Sequence, residues 1–285
     1  MTRPPVYTLI PTKKLDKIGD LSGALKQNVG ALEPILSSLR RLENNGNAVV
    51  LLHKLGDYKE NEEIIKFKSK TVLLNNIIWI DDPLKAQLLS NRWKIHLFLE
   101  SLELPGAKLP KTTQVDKGTC SFSEPSVIKP EDACGDVASH RMLYLPANTS
   151  FTPKGKRYIR QPFIEHGSVM WKLYVIGRHV TIIPRPSLSS QEGSVYFSSQ
   201  GLKASGTLEN YTLLESAMKF RLENLALFLS TKSELRLLGV DVLIDVNCDV
   251  WVIDLNYFPG YDGVEDVPGK LADCIYQVVD LNKNI

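Results

Sequence analysis

Residues 238–261 read LGVDVLIDVNCDVWVIDLNYFPGY. Two apolar runs, 240–246 and 250–255, are separated by Asn247, Cys248 and Asp249. β-Branched runs around a short polar break predict a β-hairpin. With Asn247-Cys248 at the turn, Asp241 stands opposite Asp254; with the turn moved by one residue, it stands opposite Asn256. Side chains alternate along a strand, so Asp254 and Asn256 share a face in either register. Two carboxylates and an amide oxygen are thus crowded onto one face of otherwise apolar strands. Asp245 shares the face of Asp241 nearer the turn, where water reaches it. Like charges across a ladder repel, and buried charges need partners. A hard cation answers both demands, because Mg2+ takes oxygen ligands and is often held by one or two carboxylates plus substrate phosphates. A hairpin whose polar face is simply solvated fits the same pattern, so residues elsewhere have to decide.

Outward from the hairpin, 207–238 carries helical spacing through Leu213, Leu214, Ala217, Met218, Leu222, Leu225 and Phe228, and a closing helix is predicted over 270–281. Before these, 189–206 is rich in Ser and Gly and reads as a flexible loop. Strands are predicted at 126–129 and 158–164, and a second hairpin joins 169–176 to 179–183 around Gly177-Arg178. Leu104-Pro105-Gly106 closes a helix over 83–102 that starts at an Asp82-Pro83 cap and buries Leu88, Leu89, Trp93, Leu97 and Phe98. Further back lie strands at 77–80, 48–52 and 6–10, and apolar residues at helical spacing across 15–42, broken at Gly30 and Pro34. Strands alternating with helices predict an α/β first domain ending near Asp82. The expected division is 1–82, 83–160 and 161–285.

Composition narrows the class without naming a chemistry. The 285 residues suffice for two domains; 43% hydrophobic and 23% charged residues are ordinary for a globular protein. A formal charge of +2 argues for neither nucleic acid nor a membrane surface. The four cysteines are scattered without CxxC, so neither zinc nor a disulfide framework is expected. MTRPPVYTLIPTKK does not read as a secretory signal, and no apolar run reaches the ~20 residues that span a bilayer. The expected location is the cytoplasm, with the nucleus also compatible, and the expected state is a monomer.

Two lysines occupy strand positions where apolar residues belong. Lys129 follows Ser-Val-Ile, and Lys172 shares a face with Met170, Tyr174 and Ile176. A lysine ammonium on such a sheet serves phosphates as a point charge, or it snorkels to the sheet edge. Arg185, between Pro184 and Pro186 just past a strand, has a restricted backbone. Arg92, mid-helix beside Trp93, reads as a solvated arginine. His140 ends a loop with Gly135, where a ligand can approach the backbone closely, yet it fits a structural role as well. GxxxxGK[ST], kinase HRD and DFG, GxGxxG after a strand and GxSxG are all missing. Phosphates, if handled here, belong to other machinery.

Taken together, these segments resemble the ATP-grasp inositol phosphate kinases of the inositol 1,3,4-trisphosphate 5/6-kinase family, plant members above all. The resemblance rests on Val127-Ile128-Lys129-Pro130 with Ala133-Cys134-Gly135 and Ser139-His140-Arg141-Met142. It continues through Gln161-Pro162-Phe163-Ile164-Glu165-His166-Gly167 and Arg185-Pro186-Ser187-Leu188, and is most specific in Gly239-Val240-Asp241 with Ile253-Asp254-Leu255-Asn256-Tyr257-Phe258-Pro259-Gly260-Tyr261. It implies an ATP-grasp fold with an N-terminal α/β domain, and Mg2+ on Asp241, Asp254 and Asn256. ATP would meet Arg92, Lys129, Gln161, Lys172, Ser187 and Ser199. Inositol polyphosphate would be gripped by Lys14, Lys54, Gly135, His140, Lys172, Arg185, Asn256 and Gly260, with Lys172 and Asp254 closest to the chemistry.

The reaction so implied is phosphoryl transfer from ATP to an inositol hydroxyl, driven by positioning and charge stabilisation. Two other readings share the pattern. A carboxylate–amine ligase of the same fold would need fewer basic acceptor contacts, and a non-catalytic inositol phosphate binder would not need the metal set.

Overall fold

The aliphatic runs at the N-terminal end form a parallel sheet. A computed structural model describes residues 4–10, 16–31, 49–54, 62, 64–65, 77–133, 137–198 and 214–282. It places here β1 (Val6–Leu9), α1 (Leu21–Leu25), β2 (Val29–Ala31), β3 (Val49–His53) and β4 (Ile77–Ile80). The order is β2-β1-β3-β4, each pair parallel. Val50, Leu51, Leu52 and Ile80 are fully buried, as in a parallel sheet covered on both faces. The helical reading of 15–42 is corrected at β2. α1 ends at Lys26 in the left-handed conformation, and 29–31 turns into a strand beside β1. Gly30 permits that pairing, since a Cβ there would lie 2.7 Å from the Tyr7 ring.

Asp82 caps α2 (Pro83–Ala86), accepting from Leu84 N at 2.9 Å with proline at the helix start, as predicted. The continuous helix expected over 83–102 is broken instead. A 3-10 turn (Gln87–Ser90) leads to an extended Asn91, which bridges to Asp132. Asn91 also caps α3 (Arg92–Glu100), accepting from Lys94 N at 3.0 Å. The break re-aims the face that follows it. Arg92, Ile95, His96 and Leu99 are buried, while Leu97, expected inside, is 47% exposed.

The rest of the chain forms β5 (Ala107–Lys108), β6 (Thr113–Val115), β7 (Cys120–Phe122), β8 (Ser126–Pro130), β9 (Arg141–Leu145), β10 (Thr149–Phe151) and β11 (Tyr158–Pro162). Then come β12 (Val169–Ile176), β13 (His179–Pro186), β14 (Val195–Ser198), α4 (Ser216–Ser233), β15 (Leu237–Ile244), β16 (Val250–Tyr257) and α5 (Val267–Asn282). One antiparallel sheet runs β14-β9-β8-β11-β6. The other runs β13-β12-β15-β16-β5, antiparallel except for β5. The sheets exchange edge strands, β5 joining the second sheet and β14 returning to the first. β14 also lies inside the stretch read as a flexible loop, with Tyr196 under the Arg141 guanidinium at 4.3 Å. Arg185, expected just past a strand, lies within β13.

α4 packs on β12, β13 and β15 through Leu222, Leu225 and Leu229, and α5 packs on α1, β4 and β12. The Tyr276 hydroxyl donates to Leu25 O at 2.7 Å and ties α5 to α1. Among the described residues no helix is long and apolar enough to cross a membrane. The main core joins one face of the N-terminal sheet and the helices to the β12-β15-β16 sheet. Leu9, Leu51, Ile64, Ile77 and Trp79 on the N-terminal sheet, and Ile128, Leu143 and Leu145 on β8 and β9, form smaller cores of their own.

Candidate functional site

The hairpin β15–β16 adopts the register that sets Asp241 opposite Asp254 and Gly239 opposite Asn256. It does so by an unexpected route. Asp245 N donates to Asp249 O at 3.1 Å, which closes a three-residue loop, 246–248, with Cys248 left-handed at φ 61°. Continued up the strands, that register would set Asp241 against Ile253. A bulge between Asp241 and Val242 leaves Ile253 unpaired and restores the two carboxylates to facing positions. Asp245 accepts from Asn247 N, Asp249 N and Trp251 Nε1 at 2.9–3.0 Å. Burial would raise its carboxyl, but these bonds and the Lys108 charge hold it below the ordinary range.

Lys172, Asp241 and Asp254 stand in register across β12, β15 and β16. Lys172 Nζ lies 2.7 Å from Asp241 Oδ1, and Asn256 Nδ2 donates to Asp241 Oδ2 at 3.3 Å. Burial lowers the Lys172 ammonium, but Asp241, with Tyr174 and Asp254, outweighs it and holds the group above its ordinary value. Gly239 has a packing reason: a Cβ there would meet Pro259 at 3.1 Å. Its absence lets the Phe258–Gly260 turn fold down over this face.

The opposing sheet supplies the roof. Lys129, at the end of β8, donates to the carbonyl of bulged Ile253 at 3.2 Å. Burial pulls its ammonium down to about 8, Asp254 and Asp241 oppose the fall, and Arg92 adds to it. Arg92 is not the solvated residue expected. At the start of α3 it is 4% exposed. Its Nη1 donates to Pro130 O at 2.7 Å, Asp132 O at 2.8 Å and Ser139 O at 3.0 Å, and its Nε to Asp254 Oδ2 at 3.4 Å. Three cations therefore surround two carboxylates, drawn from both five-stranded sheets and α3.

Gln161 sits behind this roof, its amide donating to Thr112 Oγ1 at 3.1 Å. Ser187 meets a residue that sequence reading gave no role: His166. His166 Nδ1 donates to Ile164 O at 2.5 Å, so its Nε2 accepts from the Ser187 hydroxyl at 2.7 Å. Burial lowers the His166 pKa, which keeps that arrangement neutral. The signal lay within the quoted Glu165-His166-Gly167, but the partner is on another strand. Arg185 Nη2 donates to Tyr174 Oη at 3.1 Å and to Asp262 O at 2.5 Å, where Lys17 also reaches the Asp262 carboxylate at 3.3 Å. Lys54, at the end of β3, donates to Phe258 O at 3.0 Å, two residues before Gly260. His140 ends the 3-10 turn Val137–His140 beside Ser139, half-buried. Lys14, Gly135 and Ser199 lie outside the described residues.

A second polar group lies behind the cleft. His53 and Asp81 are fully buried. The Asp81 carboxylate accepts from Arg236 N at 2.8 Å and Leu237 N at 2.9 Å. Burial pushes its carboxyl up to about 6, against the pull of these bonds and the Arg236 charge. Burial pulls His53 down to about 4, against its contact with Asp81 O and the Asp82 charge. The two act in opposite senses on stability. His53 contributes stability present above pH 6.5 and lost as pH falls toward 4; Asp81 contributes stability present below pH 3.8 and lost as pH rises through about 6. Asp81→Asn removes only the second. Its stability relative to wild type is expected to rise by about 2 kcal/mol between pH 4 and 6.5. Urea unfolding at both pH values checks this; a difference that does not change with pH would refute it.

The family profile described as the inositol 1,3,4-trisphosphate 5/6-kinase ATP-grasp domain matches residues 107–277. The inositol-tetrakisphosphate 1-kinase 1 of Zea mays is 32% identical over 172 residues, 54% of this chain and 50% of that protein. The Arabidopsis thaliana protein of the same name is 24% identical over 282 residues, 88% of this chain and 87% of that protein. The Xenopus laevis inositol-tetrakisphosphate 1-kinase is 26% identical, covering 86% of this chain and 71% of that protein. Among solved structures, D-cycloserine synthetase gives a TM-score of 0.61 at 12% identity, covering 96% of this chain and 99% of that one. A RimK-domain ATP-grasp protein from Sphaerobacter thermophilus gives 0.58 at 14%, covering 95% and 98%. At such identities the structural likeness establishes the fold alone. The profile spans more than half of the chain. The chain therefore belongs to the ATP-grasp inositol 1,3,4-trisphosphate 5/6-kinase family.

Proposed function

We propose that this protein transfers the γ-phosphate of ATP to a hydroxyl of an inositol polyphosphate, with Mg2+ held by Asp241, Asp254 and Asn256. The observation that carries this reading is the row Lys172–Asp241–Asp254 across three strands, roofed by Lys129 and Arg92. The donor set is all oxygen, two facing carboxylates and an amide, which suits a hard cation. When bound, the ion supplies charge neutralisation between the β- and γ-phosphates.

The chain's own groups do the rest. Lys129 and Lys172 meet phosphate charge, with Lys172 exchanging Asp241 for a phosphate oxygen. Arg92 holds Asp254 and the carbonyls of Pro130, Asp132 and Ser139. Ser187 and Gln161 line the nucleotide between the two five-stranded sheets, and Ser199, outside the described residues, is assigned to it by the family resemblance alone. Lys14, Lys54, Gly135, His140, Arg185 and Gly260 orient the acceptor, so that its hydroxyl lies in line with the γ-phosphate. In this reading 1–82 serves the acceptor, while 83–160 and 161–285 enclose ATP.

Purified protein with ATP and magnesium, screened against a panel of inositol phosphates with products resolved by isomer, tests the proposal. Isomer-specific phosphorylation is expected. ADP release only with paired carboxylic acids and amines would favour a ligase, and no turnover with any acceptor would favour a binding protein. Lys54→Ala is expected to raise KM for the inositol phosphate roughly ten- to hundredfold, the cost of one charge-assisted hydrogen bond. KM for ATP should stay within a factor of about two. Equal increases in both would remove Lys54 from the acceptor site.

A further inference from the structure

Behind the cleft, where apolar packing would suffice, His53, Asp81 and Tyr257 form a sealed polar cluster. Its hydrogen bonds have one consistent polarity. Asp81 N donates to Tyr257 Oη at 2.8 Å, and the phenol donates its proton to His53 O at 3.1 Å. His53 Nε2 faces the Asp81 carbonyl, so that nitrogen carries the imidazole proton. Burying a carboxylate and an imidazole costs free energy that pairing returns only in part, so stability alone gives a poor reason for the cluster.

Its place in the chain gives a better one. His53 immediately precedes Lys54, and Tyr257 lies between Asn256 and Phe258. β3 belongs to the N-terminal sheet and β16 to the C-terminal one, and no ladder pairs them. The register between these strand ends has to come from other bonds. Among the described residues these include Tyr257 Oη to His53 O, Asp81 N to Tyr257 Oη, and Lys54 Nζ to Phe258 O at 3.0 Å. The first two are buried and rigid, whereas the third depends on a four-carbon side chain.

We propose that Tyr257 is a positioning residue for the acceptor site: its hydroxyl fixes the end of β3 against the end of β16, and so holds Lys54 over the Asn256–Gly260 turn. This rests on the reading of Lys54 as an acceptor-binding residue. A shift of about 1 Å in such a group is enough to cost a large factor in binding or rate.

Tyr257→Phe keeps the ring in the core and removes only the hydroxyl. With the best acceptor from the inositol phosphate panel, KM for that acceptor is expected to rise roughly tenfold. KM for ATP and kcat at saturation should stay within about twofold. Tyr257→Phe added to Lys54→Ala is expected to change acceptor KM no further, because both act through one contact. Additive losses in the double variant, proportionate increases in both KM values, or an unchanged acceptor KM would each overturn the proposal. Acceptor and Mg-ATP binding by calorimetry in the cold, below the variant's unfolding transition, keeps the comparison valid if stability falls. Wild type that phosphorylates inositol phosphates beside an unaffected Tyr257→Phe sinks this inference alone. Wild type inactive on every inositol phosphate sinks the functional reading, and this inference with it.

Discussion

Asp254→Asn is expected to lower kcat by roughly a thousandfold with excess magnesium and ATP, the scale of losing one preorganised charge contact in an active site. Asparagine keeps the shape and can still accept from Arg92 Nε, now 3.4 Å from Asp254 Oδ2. What is lost is charge. Three cations, Arg92, Lys129 and Lys172, would then surround Asp241 alone. Asp254 is also the leading influence that holds Lys129 up against burial, so the Lys129 ammonium would fall further from about 8 toward neutrality. The phosphate-binding charge would weaken together with the cation site. Stability should change by only about 1 kcal/mol, since the hydrogen bond survives in neutral form. ADP release and a urea titration on the same preparation check both halves. Turnover within tenfold of wild type would remove Asp254 from the chemistry.

Arg92→Ala is expected to cost about 3–5 kcal/mol of stability and to leave little or no activity. The guanidinium donates to the carbonyls of Pro130, Asp132 and Ser139 as well as to Asp254. Alanine would leave those acceptors and Asp254 without their cation. The adjoining space, lined in part by Arg92, His96, Gln161 and Asp254, is about 10 Å³, room for one water at most. Arg92→Lys should recover only part of the loss, because an ammonium cannot reproduce the planar fork that spans four acceptors. Urea unfolding of the three proteins gives the order wild type, lysine, alanine. An alanine variant within about 1 kcal/mol of wild type would show that these bonds add nothing net.

The features legible in the sequence are those set by neighbours along the chain. The polar break between the β-branched runs 240–246 and 250–255 marks the hairpin, and side-chain alternation along its strands puts Asp241, Asp254 and Asn256 on one face. Asp82-Pro83 marked a helix start to the residue. Ser-Val-Ile-Lys and the run around Lys172 flagged both lysines as out of place in apolar strands. The features missed all depend on partners far along the chain. Asn91 breaks the helix because it bridges to Asp132. Val29–Ala31 is a strand because Val6–Thr8 offers an edge to pair with. β14 becomes a strand inside a serine-rich segment because β9 lies open beside it.

Local alternation and capping thus determined that a carboxylate-bearing hairpin and two strand lysines exist in this protein. The tertiary structure alone decided what they meet. A single bulge at Ile253 chose which carboxylates face each other, a helix break turned Arg92 inward to Asp254, and a buried tyrosine brought β3 to the end of β16. Hydrogen-bonding needs along one strand can be read from spacing, because the backbone repeats. Which distant group satisfies a buried charge cannot, because many pairings meet the local rules and only packing in three dimensions selects one.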